Sequence, residues 1–299
     1  MSDAAPVTRF APSPTGQLHL GHAYAAGFAA AAAGDGNFLL RIEDIDATRC
    51  REHYRAAIED DLAWLGLQWQ QPVLRQSSNF PAYAAALTQL RAQGLIYPCF
   101  CSRKAIQEEI AAAGQAPHGP EGAVYPRLCH RLIAAEREER MAAGESFCLR
   151  LDMAAALCQT GSLTWHDAVR GRQRAQPEAF GDIVLARKET PAAYHLAVVV
   201  DDAAQGVTLV TRGEDLLRAT DLHRVLQVLL GLPEPRYHHH RLLTDSQGKR
   251  FAKRDKAVTL GALRQAGWAP ERVWQEIGLE YSLIPANNRR ATAGRSGDV

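Results

Sequence analysis

Between Arg9 and Ala33 the chain leaves itself few ways to run. Arg9-Phe10-Ala11-Pro12-Ser13-Pro14-Thr15-Gly16 leads to His19-Leu20-Gly21-His22, and an alanine-rich stretch follows directly. Thr8 to Ala11 reads as a short strand. Pro12 and Pro14 fix their own φ and disfavour helix in the residue before each, so the backbone stays extended through the turn. Gly16 and Gly21 permit close approach. Ala23 to Ala33 has strong helix propensity. A strand, a tight turn and a helix therefore bring two histidines, three residues apart, to the amino end of a helix. Amide groups there point at an anion, and the two rings can donate hydrogen bonds to phosphate oxygens. Ordinary polar packing, or half of a metal site, would leave the surrounding prolines and glycines without a purpose.

The elements that follow define the fold class. Asn37 to Ile42 is a short apolar strand ending in the acidic run Glu43, Asp44, Asp46. Glu52 to Trp64 is helical, with Ile58, Leu62 and Leu65 on one buried face, and Gly66 stops it. Tyr83 to Gln93 is a further helix, closed by Gly94. Strands alternating with helices predict an α/β fold, a doubly wound parallel sheet with ligands at the carboxyl ends of its strands. Residues 1–96 form its first half. The character changes at Tyr97: residues 97–180 are rich in Gly, Pro and charge and read as an insertion. Its expected helices lie near Arg103–Ala113 and Cys129–Ala143, and its strands near Phe147–Leu151 and Leu163–Asp167. Sheet character returns over 181–240, with Ala197-Val198-Val199-Val200 and Val207–Val210 as strands and Asp215–Leu230 as a helix. Residues 241–281 hold a basic loop and two short helices, Leu260–Ala266 and Pro270–Ile277. The polar residues 282–299 read as a disordered tail.

Composition narrows the class. A chain of 299 residues can hold two domains, or one with a large insertion. A net charge of +1 says little about partners, and 46% hydrophobic residues is ordinary for a globular protein. Six cysteines in this length favour reduced thiols or a metal over a disulfide scaffold. No apolar run approaches a membrane span, and no basic segment with an apolar core opens the chain, so neither membrane insertion nor a signal peptide is expected. The cytoplasm is the default location.

Three further groups carry chemistry. From Arg236 to Lys256 there are seven Lys/Arg and two Asp, a local balance of +5, centred on Gly248-Lys249-Arg250-Phe251-Ala252-Lys253-Arg254-Asp255. Cys99 and Cys101 are one residue apart, and Cys129 lies beyond a Gly/Pro-rich loop. Three thiolates would bind zinc with a fourth ligand, for which His118, Tyr125 and His130 are the candidates. Buried apolar cysteines are the alternative. Cys50, Cys148 and Cys158 have no partner pattern and read as structural. His238-His239-His240 alternate faces of an extended segment and so do not converge on a metal.

The string RFAPSPTGQLHLGH, with Arg41-Ile42-Glu43-Asp44-Ile45-Asp46, resembles the glutamate branch of the class I aminoacyl-tRNA synthetases, His19–His22 standing at their HIGH motif. Arg250 to Arg254 resembles their KMSKS loop, with Lys253 at its second lysine and four of the five motif residues replaced. The likeness runs from about Thr8 to about Ala257. It implies a Rossmann-type catalytic core with a zinc-containing insertion and a short helical C-terminal segment. It implies His19, His22 and Lys253 as catalytic residues, and His19, Gly21, His22 and Lys253 around ATP with its Mg²⁺. Arg9, Phe10, Ala11, Pro12, Ser13, Glu43, Tyr194 and Arg212 would bind L-glutamate. A guanidinium grips a carboxylate with two hydrogen bonds, so two arginines suit a substrate with two carboxylates. Glu43 suits the ammonium. Arg212-Gly213-Glu214-Asp215 also fits a capped turn before a helix. Relatives with the spacing Cys-x-Cys…Tyr-x-x-x-Cys use the tyrosine, which implies one zinc on Cys99, Cys101, Tyr125 and Cys129. Only residues 254–299 follow Lys253, so the expectation is a catalytic core without an anticodon reader. That form is similar to the glutamyl-Q tRNA(Asp) synthetase family, monomers that esterify glutamate to queuosine in the anticodon loop of tRNA(Asp). A truncated or discriminating glutamyl-tRNA synthetase, and a non-catalytic nucleotide- or RNA-binding protein, are the competing expectations.

Overall fold

The computed structural model describes residues 5–112, 118–188, 190–243 and 258–290. The chain begins β1 (Val7–Phe10), α1 (Leu20–Ala32), β2 (Asn37–Ile42), α2 (Glu52–Trp64), β3 (Gln70–Arg75), α3 (Phe80–Ala92) and β4 (Ile96–Cys99). It continues α4 (Arg103–Ala112), β5 (His118–Gly119), β6 (Gly122–Ala123), α5 (Ala134–Ala142), β7 (Cys148–Leu151), α6 (Met153–Thr160), β8 (Thr164–Asp167) and β9 (Gly171–Arg174). It closes with β10 (Val184–Arg187), α7 (Tyr194–Ala204), β11 (Leu209–Gly213), α8 (Ala219–Leu230), β12 (Arg236–His240), α9 (Leu260–Gln265) and α10 (Pro270–Ile277). These elements form two compact units. One comprises Met1–Ser78, Gly206–Asp215 and Pro235–Val299, and the other Asn79–Gln205 and Leu216–Glu234.

In the first unit β1, β2 and β3 pair in parallel in that order, with α1 and α2 as the crossovers. β11 pairs in parallel with β12. Thr208 N donates to Val7 O at 3.0 Å, which starts β11 beside β1 on the side away from β2. Parallel α/β sheets take ligands beyond the carboxyl ends of their strands, which points to the ends of β1 and β11. The core is the alanine face of α1 (Ala23, Ala26, Ala29, Ala30) with Phe38, Leu40 and Ile42 of β2 and Ile58 and Leu62 of α2. Small residues on α1 let its neighbours come close. A Cβ on Gly27 would stand 2.5 Å from Trp274 Cζ3 of α10.

Residues 282–290 are not an irregular tail. Ile284 and Asn288 are buried. Asn288 O accepts from Gln68 N at 2.9 Å, Arg290 N donates to Gly66 O at 2.8 Å, and Asn288 Nδ2 donates to Ala30 O at 3.3 Å. Polar composition alone gives no periodicity to read, yet a single buried asparagine satisfies the ends of two other elements. The remainder of the expected tail, 291–299, lies outside the described residues.

In the second unit β4 and β10 flank β7 in an antiparallel sheet, and β8–β9 and β5–β6 are hairpins. Here one expectation fails outright. Ala197–Val200 is the middle of helix α7, not a strand. A run of four apolar residues fits a buried helix as well as a strand, and the partners decide. Asp201 is fully buried and accepts from Tyr83 Oη at 2.8 and 3.0 Å and from Asn79 Nδ2 at 2.7 Å, which ties α7 to α3. The helix expected over Cys129–Ala143 is a short 3-10 turn, Leu128–Arg131, followed by α5. Among the described residues no helix is long and apolar enough to cross a membrane.

Candidate active site

The two histidines cap α1 and hold each other. His19 is the N-cap, extended at φ −134°, and its Nδ1 accepts from Gly21 N at 3.1 Å. His22 Nδ1 accepts in turn from His19 N at 3.1 Å, closing a reciprocal capping box. The rings lie 3.8 Å apart. With both Nδ1 atoms accepting, the proton of each neutral ring sits on Nε2, so each ring presents a donor there. A Cβ at Gly21 would stand 3.0 Å from the His19 ring, a tight contact that the glycine avoids where the ring folds over the first turn. The sequence places the pair at a helix start. The structure adds that two amides at this turn, Gly21 N and His19 N, are already bonded to the rings, so the ring Nε2 atoms are the donors the pair can offer.

β1 and β11 each carry a buried arginine near the carboxyl end. Arg9 on β1 is buried, and its Nη1 donates to Thr211 O of β11 at 2.9 Å. Arg212 on β11 is buried, and its Nε donates to His239 Nε2 of β12 at 3.1 Å. Phe10 sits in the core, and Ala11 to Ser13 run outward from β1. Pro12 O accepts from Glu43 N at 3.0 Å, which lays this segment along the end of β2. Of the three carboxylates after β2, two are committed to structure. Buried Asp44 accepts from Ser77 N, Ser77 Oγ and Arg75 Nε at 2.7–3.0 Å. Asp46 caps its own turn through Thr48 and Arg49, whose hydrogen bonds pull its carboxyl down to about 2. Glu43 is the third, and its Oε1 lies 3.4 Å from the guanidinium of Arg41, which is fully buried beneath it. The sequence shows Arg41 only within the Arg41–Asp46 string and His239 only within the run of three histidines, with no site role for either. Nothing in their local spacing separates them from ordinary strand residues, because their partners come from strand ends and strand pairing.

Tyr194 opens α7 in the second unit. Its ring stands 5.2 Å from that of His195 and 5.8 Å from that of His223. His195 links His223 Nε2 at 3.1 Å to Glu121 Oε1 at 2.8 Å, and the His195 hydrogen bond holds the Glu121 carboxyl below the usual range. Lys253 lies outside the described residues, as does the rest of the KMSKS-like loop.

The cysteines of the second unit do converge. The sulfurs of Cys99, Cys101 and Cys129 lie within 4.8 Å of one another. Tyr125 Oη is 3.2 Å from Cys99 Sγ and 3.4 Å from Cys101 Sγ. A tetrahedral zinc with Zn–S near 2.3 Å needs sulfurs and oxygen at about these separations, so the donor set fits the ion in size and chemistry. His130, the rival fourth ligand, points elsewhere: its Nε2 is 2.7 Å from Asp152 Oδ2. The surroundings of the cluster pull both ways, since burial pushes the Cys101 thiol up to about 12 and the Tyr125 phenol up as well, while hydrogen bonds converge on its other members. Phe100 N donates to Cys129 Sγ, Cys129 N donates to Tyr125 Oη, and the Arg150 guanidinium lies 3.8 Å from the centre of the Tyr125 ring. The Cys148 thiol, paired with Cys99 across β4 and β7, is the largest influence holding Cys99 well below the ordinary thiol range.

Comparison with known proteins agrees with this geometry. Residues 6–288 match the family described as tRNA synthetases class I (E and Q), catalytic domain. The chain is 51% identical over 280 residues to the glutamyl-Q tRNA(Asp) synthetase of Rhodobacter capsulatus, covering 91% of this chain and 100% of that one. It is 45% identical over 287 residues to the glutamyl-Q tRNA(Asp) synthetase of Nocardia farcinica, covering 95% and 88%. The fold matches the crystal structure of the glutamate-tRNA synthetase from Elizabethkingia anophelis with a TM-score of 0.75 at 23% identity, over 96% of this chain and 68% of that one. By its sequence over nearly its whole length, the chain belongs to the catalytic-domain family of the class I tRNA synthetases for E and Q, and within it to the glutamyl-Q tRNA(Asp) synthetase group.

Proposed function

We propose that the protein activates L-glutamate with ATP, without tRNA, and then transfers the glutamate to queuosine in the anticodon loop of tRNA(Asp), acting as a cytoplasmic monomer. The observation that carries this reading is the identity of 51% with a glutamyl-Q tRNA(Asp) synthetase along that protein's full length. The geometry supports it: two histidine rings cap the start of α1, and buried arginines stand on β1 and β11, with Arg9 Nη1 donating to Thr211 O. The α-carboxylate of glutamate attacks the α-phosphorus of ATP, a phosphoanhydride bond breaks, and pyrophosphate leaves. That carboxylate is already ionised, so the step needs neither a protein nucleophile nor a general base. Positioning and charge stabilisation remain. His19 and His22 donate to phosphate oxygens, Gly21 gives the phosphates room, and Lys253 neutralises charge as pyrophosphate departs. Mg²⁺ bound with ATP would supply further neutralisation of phosphate charge.

For the amino acid, Arg9 is assigned to the side-chain carboxylate, Arg212 to the α-carboxylate and Glu43 to the ammonium, and the family resemblance adds the Tyr194 hydroxyl to the side-chain carboxylate. Phe10, Ala11, Pro12 and Ser13 form the pocket wall. Glutamine is disfavoured because its amide leaves a buried guanidinium poorly paired. Cys99, Cys101, Tyr125 and Cys129 hold one zinc ion, and four protein ligands leave no open position, so its role is structural. In the second step a hydroxyl of the cyclopentenediol of queuosine attacks the adenylate carbonyl, and AMP leaves. A loop nucleotide splayed into the site is the usual way proteins read single-stranded RNA. The test is labelled-glutamate transfer to matched tRNA(Asp) with and without queuosine, after pyrophosphate exchange without tRNA. Transfer should require queuosine. Equal transfer to both, or label on the 3′-terminal ribose, overturns the acceptor, and equal activation of glutamine overturns the pocket.

A further inference from the structure

The three consecutive histidines of β12 divide their contacts. The His238 ring meets Phe28 edge-on at 4.7 Å. His240 meets Tyr24 edge-on at 5.2 Å, and its Nδ1 lies 2.8 Å from Arg241 O. His239 is the middle one, and it faces Arg212. The two are direct partners in the parallel register of β11 and β12, both side chains are buried, and Arg212 Nε donates to His239 Nε2 at 3.1 Å. We propose that His239 is a positioning residue that fixes the guanidinium of Arg212 for the α-carboxylate of the amino acid. This rests on the reading above that Arg212 belongs to the glutamate pocket.

A guanidinium donates only, so His239 Nε2 must accept, and the ring is neutral with its proton on Nδ1. The bond commits Nε. A two-point grip on a carboxylate then uses the two Nη groups, which gives the substrate one orientation instead of two. Tyr237, two residues earlier and on the same face of β12, stacks on the His239 ring at 6.0 Å and 11°, and its ring centre lies 5.4 Å from the Arg212 guanidinium carbon. The histidine is thus braced from its own strand. A long, flexible side chain is ordered before the ligand arrives, so binding does not have to order it.

The test is pyrophosphate exchange by His239→Phe, His239→Gln and Arg212→Gln beside the wild type. Phenylalanine keeps the ring and removes the acceptor, whereas glutamine keeps an acceptor near the position of Nε2. His239→Phe should raise the glutamate KM by about 10-fold, the scale of one hydrogen bond to a charged group, with the ATP KM within about twofold. His239→Gln should recover most of that loss. A glutamate KM within about twofold of wild type in His239→Phe overturns the proposal while Arg212→Gln still raises it. Glutamate and ATP KM values rising together also overturn it. An unaltered glutamate KM in Arg212→Gln, or no exchange by the wild type, removes the pocket reading and this inference with it. Should His239→Phe not fold, ¹⁵N spectra of histidine-labelled wild type decide. A His239 protonated on Nδ1 supports the proposal, and one protonated on Nε2 overturns it.

Discussion

The histidine corner of the first unit and the cysteine cluster of the second each gather a few side chains on short segments, and they differ in what holds those segments still. His19 and His22 are fixed by backbone. They cap a helix whose alanine face is packed on a parallel sheet, and Leu260 N of α9 donates to Leu18 O just before them at 2.8 Å. Cys99, Cys101, Tyr125 and Cys129 come from the end of a four-residue strand, a loop and a 3-10 turn. The small core around them consists largely of these same side chains, with Tyr97. The corner is therefore built by the core and needs no ligand to exist. The cluster is built from its own donors, and on the proposed zinc reading it would depend on the ion for its stability.

The largest expected effect follows from that contrast. A preparation of the protein should contain one equivalent of zinc, and Cys101→Ser should lose it. The cost to the second unit should be several kcal/mol, since structural zinc binding and folding are one free energy. Amide exchange should become fast over residues 97–131 and stay slow over 7–42. Slow exchange over 97–131 in a metal-free protein would erase the distinction between the two regions.

The second break is chemical. His19→Asn keeps a good helix cap and removes the ring donor. Pyrophosphate exchange should fall about 10²-fold with little change in Tm, as for loss of one donor in other charge-stabilising sites. His19→Ala should lose as much rate and about 1 kcal/mol of stability besides, because the cap goes too. His22→Ala and Lys253→Ala should match the loss in rate. Unchanged exchange in all of them would mean that the corner is a capping box and nothing more.

The two regions also differ in how far sequence reading reaches. The corner is legible because its determinants are local: two prolines, two glycines and an alanine run dictate strand, turn and helix within 25 residues. The cysteines are legible by residue type, and Tyr125 by its spacing from Cys129 in the relatives that the sequence resembles. What pairs across the fold is not legible. His239 meets Arg212 only because β11 and β12 are in parallel register, and Arg41 lies under Glu43 only because β2 ends where it does. The apolar run Ala197–Val200 misleads for a related reason. Its helical state is fixed by Tyr83 and Asn79 reaching Asp201 from a helix more than a hundred residues away.

A third prediction asks whether the brace behind the corner sets its chemistry. Gly27→Ala places a methyl 2.5 Å from Trp274 Cζ3 and 2.8 Å from Leu279 Cδ2. Trp274 cannot yield easily, since its Nε1 donates to Leu65 O at 3.2 Å and its ring stacks on Tyr281. Overpacking costs about 1–3 kcal/mol, and the better helix propensity of alanine returns about 1. The net loss should be about 1 kcal/mol in chemical denaturation, with the exchange rate nearly unchanged. A rate falling as far as in His19→Asn would show that the corner is not rigid in its own right.

The smallest effect lies one layer further back. Asp61 on α2 is buried, and its Oδ1 is 3.6 Å from Arg264 of α9, the helix whose first residue bonds Leu18. Burial raises its carboxyl from 3.8 to about 6, and Arg264 offsets only part of this. A folded-state value above the unfolded one means that the folded protein binds the proton more tightly. The favourable contribution is then complete below pH 4 and is lost as pH rises through about 6. Between pH 5 and pH 8 that amounts to about 1 kcal/mol, one shift unit being worth about 1.4. Asp61→Asn cannot ionise, so its stability relative to wild type should improve by about that amount from pH 5 to pH 8 in urea titrations. If the difference between the two proteins is flat with pH, Asp61 is as well solvated in the fold as out of it. The α2–α9 brace would then be a surface ion pair, worth little.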